Sequence, residues 1–146
     1  MSDPFNLQRF LDAQARDYDT ALAEIRSGSK RTHWMWYVFP QFEGLGTSST
    51  AQYYAVKSVA EAAAYLSHPI LGPRLTECAE AVLSVEGRSA FEIFHSPDDL
   101  KLRSSATLFA AVSPANSLFH RILDKYFDGT PDDRTLRLIR QAEHHP

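Results

Sequence analysis

The sequence predicts an all-α protein, a single compact domain of six or seven helices with short connections over residues 1–146. Three observations carry this. Apolar residues recur at helical spacing in the longer segments, and prolines and small polar residues punctuate the chain at helix-length intervals. No series of alternating strands with turn signals is present, nor a repeat of fixed period. The 44 % apolar and 23 % charged residues are those of an ordinary globular domain, and 146 residues suffice to bury a core without staples.

The first helix is expected over 6–27, where Phe10, Leu11, Tyr18, Leu22 and Ile25 fall near one face and Gly28 stands where a left-handed C-terminal cap belongs. The stretch HWMWYVF, 33–39, is uncharged and stops at Pro40. As a strand it would be apolar on both faces and has no partners, so a one- or two-turn helix fits better, with Trp34, Tyr37 and Val38 clustered and His33 beside Trp36 and Tyr37. In GLGTSST, Gly44 and Gly46 permit positive φ, and Ser48, Ser49 and Thr50 are candidate caps for AQYYAVK.

Ser58 and Glu61 have capping-box spacing before an alanine-rich helix that Pro69 closes. Pro73 suits the first turn of the next helix, whose stripe is Leu75, Ala79, Val82 and Leu83 and whose end is Gly87. The last third repeats one device: Ser96-Pro97, Ser113-Pro114 and Thr130-Pro131 each set a hydroxyl cap before a proline. Helices over 97–112, 114–127 and 131–143 are therefore expected, with Asp98, Asp99, Asp132 and Asp133 in first turns where the helix dipole favours acids.

Composition narrows the function classes. A net charge of −3 offers no electrostatic footprint for nucleic acid. Cys78 is the only cysteine, which excludes an internal disulfide and multi-cysteine zinc sites and implies a reducing compartment. The N-terminus lacks the basic start and apolar centre of a secretory signal, and no stretch approaches ~18 apolar residues, so the expectation is a cytoplasmic protein with no membrane partner. His68, His95 and His120 occur singly and His144-His145 lie in the tail, so no metal and no cofactor are expected. Arg74 and Glu77 read as a solvated helix pair and Cys78 as a small buried residue.

Two polar clusters remain. The aromatic stretch is either the densest part of the core or the wall of a site. Its two indoles, imidazole and phenol all need hydrogen-bond partners if buried, whereas a flat polar ligand wants such walls. In SPDDLKLRSSATLF, Asp98, Lys101 and Ser105 share one broad helical face with Ser104 adjacent, while Leu102, Ala106 and Phe109 face the core. An intrahelical ion pair with solvent-facing serines is the plainer reading of the same residues.

Together they define an expected small-molecule site where 33–46 meets 98–107, made of His33, Trp34, Trp36, Gln41, Gly44, Gly46, Ser48, Lys101, Ser104 and Ser105. Trp34 or Trp36 would stack on a ring, the 44–48 turn would hold an anion, and Lys101 would meet negative charge. If the site is catalytic, Asp98 or Asp99 is the acid or base and Lys101 stabilises developing charge. The alternative is a non-enzymatic helical domain whose aromatic face docks a protein partner.

HWMWYVFPQFEGLGTSS, YAVKSVAEAAAYLSHPILGPRL and DDLKLRSSATLF together resemble the bacterial domain-of-unknown-function family 1810, over nearly the whole chain. The resemblance implies one small all-helical domain and no reaction. His95 stands where that family usually has glycine and Ala106 where it usually has methionine, changes expected to alter the turn before Asp98 and to leave space near its helix. Members are sometimes labelled calpastatin, a protease inhibitor; no residue here supports that label. A looser likeness, in the order of AQYYAVK, DDLKLRSS and LDKYFDGT, is to the glycosidase superfamily named for NAD and ADP-ribose. It implies a nucleotide- or ADP-ribose-derived ligand and N-glycosidase-like chemistry, although the Trp-Ser-Glu helix start of that superfamily is missing here.

Overall fold

A computed structural model describes residues 2–144, so His145 of the tail lies outside the described residues. Among those described are nine helices: α1 (Gln8–Ser27), α2 (Met35–Val38), α3 (Ser49–Tyr54), α4 (Val59–Ser67), α5 (Leu71–Ser84), α6 (Ala90–Phe94), α7 (Asp98–Ala110), α8 (Leu118–Phe127) and α9 (Asp133–His144). The class is the one expected; the count exceeds six or seven because the chain uses short pieces. α6 has 5 residues, too few to display a period. Its signal is local: Ser89 and Glu92 form a complete capping box.

Packing centres on α5, which lies against α1, α4 and α8, and on α7, which lies against α4, α6, α8 and α9. Between them runs a line of rings: Phe10 meets Tyr65 edge-on at 5.1 Å, Tyr65 meets Phe109 at 5.4 Å, and Phe109 meets Phe119 at 5.6 Å. One isolated parallel bridge, Phe42 with Val56, ties the segment after α2 to the segment after α3. No helix here is long and apolar enough to cross a membrane, among the described residues.

The caps explain where elements begin. Asp3 accepts the N–H groups of Leu7 (2.8 Å) and Gln8 (3.0 Å) ahead of α1, and Gly28, at φ 78°, closes it. Ser58 accepts the Glu61 N–H, but the Glu61 carboxylate takes the Lys57 N–H in place of its own cap's. Its other oxygen pairs at 2.7 Å with Arg9, and both side chains are buried. Arg9 also donates to the carbonyls of Phe5, Asn6, Tyr53 and Ala55, which offsets the desolvation of its charge. His68 caps α5, its Nδ1 accepting the N–H groups of Ile70 and Leu71.

The repeated hydroxyl-proline device fails as a capping rule. Ser113 donates to the Phe109 carbonyl (2.7 Å) and so finishes α7; the cap of α8 is Ser117, four residues on, which accepts the His120 N–H. Thr130 and Pro131 present their carbonyls to the Arg103 guanidinium, and Asp132 caps α9 by accepting the Thr135 N–H (2.9 Å). Pro97 itself precedes α7, with no side-chain cap, and Asp98 and Asp99 occupy its first turn as expected. Arg74 and Glu77 do not form the solvated pair expected. Arg74 lies 4.9 Å over the Tyr18 ring, and Glu77 accepts the Tyr18 hydroxyl.

Glu24, buried in the last turn of α1, accepts four hydrogen bonds: from the N–H groups of Arg31 (2.8 Å) and Thr32 (3.0 Å), the Thr32 hydroxyl (2.8 Å) and the Trp34 indole (2.9 Å). Burial alone would raise its pKa, but those donors win and hold it at about 2, below the ordinary 4.5. A different constraint acts between α6 and α7. His95 stands there at φ 63° and ψ 168°, a region essentially reserved for glycine. The glycine that the family resemblance leads one to expect at this position fits the backbone without strain.

Glu24 thus lends stability that is whole above about pH 5 and is lost as pH falls from 4.5 through about 2, a contribution of about 3 kcal/mol. Urea unfolding midpoints of the wild type and Glu24→Gln are expected to differ at pH 7 and to converge by pH 2. His95→Gly is expected to raise the melting temperature by about 3 °C or more, since relief of roughly 1–3 kcal/mol of strain exceeds the entropy that glycine adds to the unfolded chain.

Candidate functional site

Two clefts open on either side of a ridge made by Trp36, Pro97 and Lys101, which line both. The first, about 340 Å³, lies between the 30–36 segment and the turn that enters α7. The second, about 450 Å³, lies between the 41–51 segment, the outer face of α7 and the start of α9. On the ridge the Lys101 ammonium sits 4.9 Å from the centre of the half-buried Trp36 ring, within cation–π range.

Charge in the first cleft is built from a distance. The Glu24 hydrogen bonds fold the 31–34 segment onto α1, and the Lys30 N–H donates to the Ile93 carbonyl at 2.7 Å. Lys30 is thereby buried, with its ammonium 2.8 Å from the Asp98 carboxylate, 2.5 Å from the Thr32 carbonyl and 4.9 Å over the Trp34 ring. Asp98 is shared, since Lys101 reaches its other oxygen at 3.5 Å. Lys30, Arg31 and Lys101 line this cleft against the one carboxylate, so it is net cationic, and His33 and His95 complete its rim.

The second cleft is less charged and more varied. Gln41, Gly46, Thr47, Ser48 and Ala51 line it from one segment, Leu100, Lys101 and Ser104 from α7, and Asp132 and Arg134 from the start of α9. The bridge at Phe42 positions Gln41, whose carbonyl accepts the Val56 N–H at 2.9 Å. Asp132 is committed to capping α9, and Arg134 donates to the Gly44 carbonyl at 3.0 Å.

Of the residues the sequence singles out, His33, Trp36, Gln41, Gly46, Ser48, Lys101 and Ser104 line these clefts. Three do not. Trp34 is wholly buried against Phe94 and spends its indole N–H on Glu24, so it is core and cannot stack on a ligand. Ser105 is buried two turns into α7, where α4, α8 and α9 flank the helix, and Ser104 takes the place expected for it. Gly44 turns its carbonyl to Arg134 and packs on Leu138.

The 44–48 turn does not form the expected anion cradle. Ser48 spends its hydroxyl oxygen on the Ala51 N–H (3.1 Å), α3 is only 6 residues long, and a Cβ at Gly46 would come within 2.5 Å of that of Ala51. The cationic groups missed by sequence reasoning are Lys30, Arg31 and Arg134. The first two stand in plain sight as KR before the aromatic stretch, but only the Glu24 contacts fold that segment so that Lys30 is buried and Arg31 lines the cleft from an exposed position; Arg134 lies on an exposed helix face and carries no local signal.

Neither carboxylate expected for acid–base work stands uncommitted in a cleft. Asp98 bridges two ammonium groups, and Asp99 lines neither cleft, its Oδ1 buried with no hydrogen-bond partner among the described residues. Burial pushes the Cys78 thiol up to about 12, so it is no nucleophile. Among the described residues no group of three or more His, Cys, Asp or Glu side chains is placed to hold a metal ion.

Comparison with known proteins adds kinship but no reaction. No curated protein matches the chain. The conserved hypothetical protein Rv1873 from Mycobacterium tuberculosis has a crystal structure that superposes with a TM-score of 0.93 at 54% identity, over 94% of this chain and 99% of that one. Residues 4–139 match the family described as "Protein of unknown function (DUF1810)". With the match spanning nearly every helix and the same fold in so similar a relative, the chain belongs to the DUF1810 family.

Proposed function

We propose that the paired clefts bind a small anionic molecule that carries a flat ring, of the nucleotide- or ADP-ribose-derived class. One observation carries the reading: the Lys101 ammonium lies over Trp36 on the ridge common to both clefts, so a cation and an aromatic side chain are presented together to each of them. A flat anion is met by that pair together, the indole edge against its ring and the positive charge beside it.

The same geometry argues for binding ahead of N-glycosidase-like turnover. Such a reaction wants a carboxylate able to trade a proton or meet a developing cation, and the two that line the clefts are committed: Asp98 to Lys30 and Lys101, Asp132 to the cap of α9. Docking of a protein partner through the aromatic stretch is the weaker reading, because Trp34 is core and Trp36 is half-buried.

Lys101→Ala leaves the Asp98–Lys30 pair in place and removes a partly exposed ammonium, so it should cost no more than about 1 kcal/mol of stability. In a thermal-shift series with AMP, ADP and ADP-ribose, at least one is expected to raise the melting temperature of the wild type, and Lys101→Ala is expected to abolish that rise. A stabilising ligand whose effect survives in Lys101→Ala binds elsewhere and refutes the site.

A further inference from the structure

The two clefts differ in chemistry, and the difference assigns the two ends of a ligand. We propose that the first cleft is a phosphoryl subsite formed by Lys30, Arg31, His95 and Lys101, and that the second receives the ring or sugar portion of the same molecule. This division rests on the proposed binding of a flat anion at the ridge and goes further, since it requires a bipartite ligand laid across Trp36.

Three observations support the division. The first is charge: Lys30, Arg31 and Lys101 line the first cleft against Asp98 alone, whereas in the second Lys101 and Arg134 face Asp132, with the guanidinium already bonded to the Gly44 carbonyl. The second is donor supply. The side chains of Arg31, His33 and His95 make no hydrogen bond among the described residues, and beside them Lys30 contributes charge from an ammonium held by Asp98, Thr32 and the Trp34 ring. A phosphoryl group brings three acceptor oxygens to such donors, and charge-assisted contacts of this kind are the strong ones.

The third observation is preorganisation. Lys30 has a side chain only 6% exposed, so its ammonium is fixed before any ligand arrives, and the anion need not order a flexible cation. His95 reaches the same cleft from a backbone that only glycine adopts without strain, and strain of this type gathers where it serves a site. The second cleft offers the complement: Leu45, Ala51 and Leu100 as apolar walls, with Gln41, Thr47 and Ser104 able to meet the polar edge of a base or sugar.

The test is isothermal titration of inorganic pyrophosphate, adenosine and ADP into the wild type, into Arg31→Ala/His95→Gly, and into Gln41→Ala/Leu100→Ala. Arg31, His95 and Leu100 are exposed and Gln41 is half-buried, so both double variants should fold, as their melting temperatures will record. Pyrophosphate is expected to bind the wild type, to weaken roughly tenfold in Arg31→Ala/His95→Gly, and to be unchanged in Gln41→Ala/Leu100→Ala. Adenosine is expected to follow the reverse pattern, and ADP to weaken in both. If ADP binds but pyrophosphate does not, or if pyrophosphate responds to the second pair and not the first, the division is wrong while the ridge site stands. If none of the three binds the wild type, the subsite assignment falls; the binding of a flat anion at the ridge is then judged separately by the Lys101→Ala series with ADP-ribose.

Discussion

A single carboxylate organises the half of this protein that carries the two clefts. Glu24 sits where a helix C-terminus disfavours negative charge, and it remains ionised because four donors from the 31–34 segment converge on it. Those four bonds do three things at once. They satisfy the indole of a buried tryptophan, they turn a short loop back across α1, and they carry Lys30 inward to meet Asp98 at the start of α7. Without them the KRTHW stretch is an exposed basic loop. With them it is one wall of a cleft.

A second buried charge does the corresponding work elsewhere. Arg9 links the N-terminal turn, the segment after α3 and the start of α4 through its guanidinium, and Glu61 supplies the counter-charge. The two anchors grip different segments, but both fix irregular chain to a long helix by giving backbone groups charged partners. Short helices such as α2, α3 and α6 have little stability of their own, and such tertiary ties hold them. His95 shows the opposite tendency, a position held against its preference by its neighbours, and it is at the cleft that this strain appears.

The proposed site follows from how these anchors share charge. Lys30 and Asp98 nearly neutralise each other in a poorly hydrated place, and Lys101 then adds a cation that the carboxylate cannot fully answer. The excess is local and recessed, although the whole chain is acidic at −3. A negative net charge therefore says nothing against a small anion, because a recessed excess of one or two charges is enough for it.

Much of the fold was legible because its causes are local. Helical periodicity and the Gly28 cap mark α1, Ser58 and Pro69 bracket α4, and Pro73 opens α5 within its first turn. Hydroxyl-proline pairs misled, since Ser113 and Thr130 could serve either neighbouring helix: Ser113 bonds back to the Phe109 carbonyl one turn earlier, and the distant Arg103 claims the Thr130 carbonyl. Of the site, the sequence by itself determined which residue types were available: an aromatic cluster, a lysine on a helix start, and hydroxyls nearby. Only the tertiary structure decided that Trp34 is core and Trp36 is the ridge between two clefts, that Ser104 and not Ser105 lines one of them, and that Lys30 lines the other. Each of those outcomes depends on which distant segment covers a given face, and nothing within a few residues of Trp34, Ser105 or Lys30 encodes what Phe94, α8 or Asp98 will bring.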